Sequence, residues 1–202
     1  MSTKLFDVAG SPNCKKARVA ARELGLPLEL VPLDFAYARG PEYLSKNPAG
    51  KVPTLVDDDG YVLWESGAIL VYLASRAPDR GLLPADPRAL AEVMRWMFFL
   101  ATHLQPWLSV LGQERLVKPR MGQAPDAGHI TLAERELARF MPILDQALET
   151  QEFLTERFTI ADIAVGCGLD DCERRGLSLA PYPSVAAWLG RLRARPSWME
   201  RA

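Results

Sequence analysis

The tetrapeptide Ser11-Pro12-Asn13-Cys14 joins an apolar run at residues 4–8 to a stretch with helical spacing. A helix start leaves backbone N–H groups unpaired and presents the positive end of the helix dipole, and both favour an anion such as a thiolate. As a pattern the tetrapeptide is a Cys-x-x-Cys redox motif whose first cysteine has become serine, so its single thiol cannot cycle an internal disulfide. Its plainer reading is structural, with Ser11 as N-cap and Cys14 packed beneath the helix. Further on, Asn47-Pro48-Ala49-Gly50-Lys51-Val52-Pro53-Thr54-Leu55 places a proline at the opening of a strand, a position open to proline only at an edge or a first residue. A cis Val52–Pro53 bond would turn the Val52 N–H and C=O outward, toward an extended peptide; a trans bond would make this an ordinary edge strand. Glu65-Ser66 stands where a strand ends and a helix begins. Ser66 and the helix N-terminus suit a carboxylate while Glu65 suits an ammonium, so the pair could grip an amino-acid zwitterion or could simply cap the helix. Phe99, His103 and Trp107 step by four along a helical stretch and share a face, which lines either a pocket or a core.

The elements that position these residues follow from periodicity. Residues 4–8 read as a strand. Ala17, Ala20, Ala21 and Leu24 then recur at i, i+3, i+4 and i+7, with Ser11 as N-cap, Pro12 at the first helical position and Gly25 just past the end. A second strand at 28–33 and a short helix at 41–46 follow. Residues 54–56 and 61–64 flank Asp57-Asp58-Asp59-Gly60, a hairpin turn, and 66–76 is a covering helix. Residues 78–87 hold prolines and a glycine without periodicity and read as a linker. Beyond it no convincing strand occurs: 90–117, 131–150, 160–175 and 184–195 all carry helical spacing, and Thr159 with Asp162 forms a capping box. Residues 112–128, with Pro119, Gly122 and Pro125, break the pattern and read as a flap or a loop. The expected order is an α/β domain at 1–77, the linker at 78–87 and an all-helical domain at 88–202.

Composition bounds the function. The 202 residues are 49% hydrophobic and 24% charged, enough for a packed core and too apolar for wholesale disorder. A net charge of −1 lacks the basic excess of a nucleic-acid binder. The longest apolar stretch, 67–74, is far short of the ~20 residues of a membrane span, and the first residues lack the apolar core of a signal peptide. The 2 histidines are too few and too isolated for a histidine metal site, and the 3 cysteines do not form a disulfide framework. These features point to the cytoplasm, with no nucleic acid, membrane or metal involved. The apolar helix carrying Trp96, Met97, Phe99 and Leu100 offers more surface than a small core needs, which favours a homodimer.

Taken in order, the strand–Ser-Pro-x-x–helix junction, Asn-Pro-x-Gly-Lys-Val-Pro, Glu-Ser-x-Ala-Ile and the helical second half together resemble the cytosolic glutathione transferases over essentially the whole chain. Phe158-Thr159-Ile160-Ala161-Asp162-Ile163 is similar to that family's buried capping box, a folding feature. The resemblance implies the GST fold: a thioredoxin-like N-terminal domain that binds glutathione, an all-helical C-terminal domain contributing the acceptor-substrate pocket, and usually a symmetric homodimer. It implies glutathione as co-substrate, without a metal, and a small electrophile as the other substrate. Lys51 and Val52 would contact the cysteinyl-glycine end, Val52 through its backbone; Pro53 would be the family's cis-proline; Glu65 and Ser66 would hold the γ-glutamyl zwitterion. Ser11 matches the serine that activates the thiol in the serine-type classes. Asn13 falls where the beta class has its cysteine and is a second donor to the sulfur, whereas Cys14 lies one position later and is expected to be dispensable. Tyrosine is absent from the end of the first strand, where Asp7 and Val8 stand. Gln105 takes the place of a beta-class histidine, which weakens the case for His103 beside Phe99 and Trp107 in the acceptor pocket. The leading expectation is conjugation of glutathione to electrophiles. Glutathione-dependent reduction of peroxides or disulfides and a non-catalytic binding or regulatory module are the alternatives.

Overall fold

A computed structural model describes residues 2–34 and 37–199, and the chain divides between Pro84 and Ala85 into two units. In the first, β1 (Lys4–Asp7), α1 (Pro12–Leu24), β2 (Glu29–Pro32), α2 (Pro41–Leu44), β3 (Thr54–Val56), β4 (Val62–Trp64) and α3 (Ser66–Ser75) follow the order expected from the sequence. The strands form one sheet in the order β2-β1-β3-β4, with β2 parallel to β1 and both later pairs antiparallel. This is a thioredoxin-like arrangement. α1 begins at the Ser11 cap with Pro12 as its first residue. It ends at Gly25, whose φ of 69° is a left-handed conformation that glycine adopts without a Cβ clash. Its buried stripe of Ala17, Val19, Ala20, Ala21 and Leu24 meets Ile69, Leu70 and Leu73 of α3 in the core of the unit.

Two buried clusters of charge lie in this unit. Arg18 pairs with Asp7 at the end of β1. Asp57, in the β3–β4 turn, accepts from Thr3 Oγ1 at 2.6 Å, from Arg76 Nη1 at 2.8 Å and from the Tyr72 hydroxyl. Burial pushes the Asp57 carboxyl up, but hydrogen bonds from Thr3, Tyr72 and the Asp58 backbone, with the Arg76 charge, outweigh it and hold the group down at about 2. The proline-rich stretch after α3 is ordered: it makes a 3₁₀ turn at Pro78–Arg80 and buries Leu82.

The second unit has only helical elements among its described residues: α4 (Pro87–Phe99), a π-helical turn (Leu100–Leu104), α5 (Gln105–Gly112), a second π-helical turn (Gln113–Val117), α6 (Lys118–Arg120), α7 (Ala127–Ala147), α8 (Ile160–Leu169), a 3₁₀ turn (Glu173–Arg175) and α9 (Pro183–Arg193). The flap or loop expected at 112–128 is not what forms. The helix continues to Arg120 and α7 starts at Ala127, so only 121–126 is irregular. The reason is Glu114, buried in the π turn. It accepts from Lys118 Nζ at 2.8 Å and the Asp126 N–H at 2.8 Å, and its Oε1 lies 3.1 Å from His129 Nδ1. α8 is buried over its whole length and carries the expected Thr159/Asp162 capping box. Asp162 also accepts from the Leu154 N–H at 2.9 Å and from Trp188 Nε1 at 3.1 Å. Gly166 has no room for a side chain, since a Cβ there would lie 2.4 Å from Leu192. Of the residues expected on an interface face, Trp96 and Leu100 are core, and the large exposed side chain of that helix is Phe98.

Candidate functional site

Strand register gathers the candidate residues. Thr54, the first residue of β3, pairs with Phe6 near the end of β1 and with Trp64 at the end of β4. The Val8–Ser11 turn, the loop before Thr54 and the Glu65–Ser66 corner therefore leave the sheet at one end. The start of α1 and the start of α3 then touch directly, Ser66 Oγ donating to Asn13 Oδ1 at 3.5 Å.

The loop before β3 is built on a cis Val52–Pro53 bond, as the resemblance implies. It is fastened from below. Tyr43, fully buried with its ring edge-on to Phe6 at 5.7 Å, donates its hydroxyl to the Lys51 carbonyl at 2.6 Å. Asn47 Nδ2 donates to the same carbonyl at 2.7 Å and to Thr54 Oγ1 at 3.0 Å, while its Oδ1 accepts from the Ala49 N–H at 3.0 Å. Lys51 is exposed, Val52 half-buried and Pro53 buried. The Ala49 N–H to Asn47 Oδ1 bond is an Asx turn, which Asn favours locally. Its reach to Lys51, and the role of Tyr43, depend on tertiary geometry and carry no local signal.

Glu65 is exposed and precedes α3 with φ 73° and ψ 114°; it is the residue other than glycine with positive φ among the described residues. Such a conformation costs on the order of 1–3 kcal/mol for a side-chain-bearing residue. Its carbonyl accepts from the Ile69 N–H at 2.9 Å, so the strain sits at the helix boundary and sets the Glu65 side chain beside the helix N-terminus headed by Ser66.

At the start of α1, Ser11 Oγ accepts from the Cys14 N–H at 3.3 Å. The hydroxyl is thus the N-cap that the sequence offered. A hydroxyl has two lone pairs and one O–H, so the cap leaves the donor usable. Cys14 is fully buried. Burial pushes its thiol up to about 11 against opposing hydrogen bonds from Ser11 and the Val8 backbone, so it is protonated and unreactive at neutral pH. Asn13 is half-buried, and its Oδ1 accepts from Lys16 Nζ at 2.9 Å. Lys16 was not singled out in the sequence, where a lysine in a first turn reads as solvated.

Of the third group, two members come together. Phe99 and His103 lie against Phe140 of α7, with His103 stacked on the Phe140 ring at 4.5 Å and Phe99 edge-on at 6.1 Å. The π turn at Leu100–Leu104 lies between Phe99 and Trp107, and its wider winding breaks the four-residue spacing that put all three on one face. Trp107 is half-buried on α5. Cys14, Cys167 and Cys172 are buried and lie outside any disulfide. No helix of the described residues is long and apolar enough to cross a membrane.

A thioredoxin-like sheet with a cis-proline loop and two helix N-termini at one end, followed in sequence by a helical unit, defines the GST fold. The chain belongs to the glutathione S-transferase family: the N-terminal domain of that family matches residues 5–81 and the C-terminal domain residues 99–196. It is 34% identical to glutathione S-transferase 3 of Zea mays over 98% of this chain and 91% of that protein. It is also 34% identical to elongation factor 1-gamma of Carassius auratus, over 86% of this chain but 39% of that longer protein. Among solved structures, the glutathione transferase URE2P6 from Phanerochaete chrysosporium, in complex with oxidized glutathione, superposes with a TM-score of 0.87. That match is 27% identical and covers 98% of this chain and 93% of that one.

Proposed function

We propose that the chain is a serine-type glutathione transferase that joins the sulfur of glutathione to small, hydrophobic electrophiles. The observation that carries this reading is the Glu65–Ser66 corner. A strained glutamate heads a helix at the same end of the sheet as the cis Val52–Pro53 loop, an arrangement that supports an amino-acid zwitterion better than it supports the fold. In this reading Glu65 accepts from the γ-glutamyl ammonium and Ser66 with the α3 N-terminus takes its carboxylate. The Val52 N–H and C=O pair with the cysteinyl backbone, and Lys51 attracts the glycyl carboxylate. The thiol then lies over the start of α1. A cysteinyl thiol titrates near ~8.5, so donors from Ser11 and Asn13 and the helix dipole raise its thiolate fraction; a two-unit shift is worth about 2.7 kcal/mol. The thiolate attacks carbon, forming the C–S bond as a leaving group departs or as a double bond takes up the pair and then a proton. Proximity and thiolate generation are the whole of the chemistry asked of the chain.

Phe99, His103 and Trp107 are kept as acceptor-side candidates. The family's habit and the exposed Phe98 support a homodimer, and cysteines outside any disulfide suit the reducing cytoplasm. The likeness to elongation factor 1-gamma favours one second reading, a glutathione transferase-like binding module without catalysis.

The test is calorimetry with glutathione on the wild type and on Glu65→Ala, with a conjugation assay against an aryl halide. We expect Glu65→Ala to weaken binding by roughly 1–3 kcal/mol, since it strips a hydrogen bond from a charged group. Unchanged affinity in Glu65→Ala would sink the site, and no binding at millimolar glutathione would favour the module. Turnover of peroxides or mixed disulfides without conjugation would move the chain to the reductases.

A further inference from the structure

We propose that Lys16 is a positioning residue: its buried ammonium fixes the Asn13 side chain so that only N–H groups are offered to the sulfur of the bound thiol. The inference rests on the transferase reading above and concerns how the same site selects the anion.

Lys16 lies on α1 one turn after Asn13 and is 4% exposed, an unusual place for an ammonium. Its Nζ is 2.9 Å from Asn13 Oδ1, and the Ser66 hydroxyl reaches the same oxygen at 3.5 Å. An ammonium carries donors alone, so a flipped carboxamide would set its NH₂ against another set of donors. The amide orientation is thus fixed by chemistry, with the carbonyl oxygen turned to Lys16 and the NH₂ turned away from it. A carboxamide left to rotate can accept from a thiol as easily as it donates to a thiolate. One whose oxygen is held can only donate, and so favours S⁻ over S–H. Other charged groups are placed near the start of α1 or on the elements beside it. Asp7 of β1 is paired with Arg18, Asp57 of the hairpin turn is paired with Arg76, and Glu65 at the start of α3 is exposed.

The experiment uses Lys16→Met, Lys16→Arg, Asn13→Ala and the double variant Lys16→Met/Asn13→Ala in the full chain. Glutathione affinity is read by calorimetry, and ionisation of the bound thiol by thiolate ultraviolet absorbance against pH. We expect Lys16→Met to raise the bound thiol's pKa by about one unit, lowering its thiolate fraction roughly tenfold on the acid side, with affinity within about twofold of wild type. Asn13→Ala should do the same, the double variant should do no more than Asn13→Ala, and Lys16→Arg should restore most of the loss. Full ionisation in a folded Lys16→Met, or a further loss in the double variant beyond Asn13→Ala, overturns the role. Should Lys16→Met not fold, the wild type supplies a second reading through the ¹⁵N side-chain resonance of Asn13. That resonance should move on glutathione binding and follow thiol ionisation, and an Asn13 NH₂ indifferent to the ligand overturns the proposal. A wild type that binds no glutathione overturns this inference together with the transferase reading; a wild type that binds and ionises it, beside an unaltered Lys16→Met, overturns this inference alone.

Discussion

Ser11 carries two separable loads: its oxygen takes the Cys14 N–H and its hydrogen is left to donate. Ser11→Ala removes both. We expect a stability loss of about 0.5–2 kcal/mol from the missing cap, read by urea unfolding. We also expect a ten- to hundredfold fall in turnover at unchanged glutathione affinity, from losing a hydrogen bond to a charged group worth about 1.5–3 kcal/mol. Cys14 is the opposite case. Held near 11 by burial, its thiol should resist alkylation in the native protein at pH 8 and react in denaturant, and Cys14→Ala should keep its turnover. A full-rate Ser11→Ala beside an inactive Cys14→Ala would reverse the two assignments. At this scale the sequence was readable where a residue's role follows from its position on an element, as with Pro53 and the Ser11 cap. It was silent where the role depends on a neighbour brought by folding. Nothing local in Lys16, Tyr43 or Asn47 announces the oxygens they hold.

Elements in this chain are fastened by buried carboxylates. Asp162 satisfies the start of α8, the N–H of Leu154 and the indole of Trp188 at once. Asp162→Ala would leave those buried donors unpaired, at a cost of about 1–3 kcal/mol each, so a loss of about 3 kcal/mol or more is expected in denaturant unfolding. Glu114 plays a similar part for the corner before α7. The Asp126 N–H and the Lys118 ammonium are the main groups holding its carboxyl down at about 2, and Asp57 in the hairpin turn stands equally low. Both folded values lie below the ordinary carboxylate range. Their contribution is therefore present above that range and is lost as pH falls toward 2. Asp57→Asn and Glu114→Gln should each flatten the acid limb of a stability–pH curve, and Glu114→Gln should speed tryptic cleavage after Arg120. An acid limb unchanged in both variants would remove this account. Prolines and glycines at 112–128 concealed the helix because a composition argument cannot see a glutamate buried fifteen residues from the histidine it meets. The capping box was legible for the converse reason, since both of its partners lie within one turn.

On the scale of the whole molecule, the strand and helix order of the first unit and the helical content of the second could be read from period and punctuation. The course of the long helix through 87–120 could not. Two π turns interrupt it, and each shifts the face that later residues present, so an apolar stripe read at constant spacing misassigns its members. Ahead of the first turn, α4 buries Trp96 and leaves Phe98 64% exposed. On α7, Ile143 is 48% exposed and borders a groove of about 310 Å³ lined also by Trp96, Phe99 and Ala147. Phe98 and Ile143, among the large apolar side chains that this unit leaves in water, suit a contact with a second copy, and a twofold axis would use each of them twice. We expect the wild type to sediment at micromolar concentration with twice the mass of the chain. Burying a large apolar side chain contributes about 1.5–3 kcal/mol, so Phe98→Glu, counted once per subunit, should weaken the dimer by about 3 kcal/mol or more. That corresponds to a dissociation constant raised over a hundredfold, and Ile143→Glu should act in the same direction. Glutathione affinity should not change in either variant, because both positions lie in the helical unit and the grip at Glu65 and Ser66 lies in the other. A wild type of single-chain mass would remove the dimer, and a dimer that tolerates both glutamates would place its interface on another face.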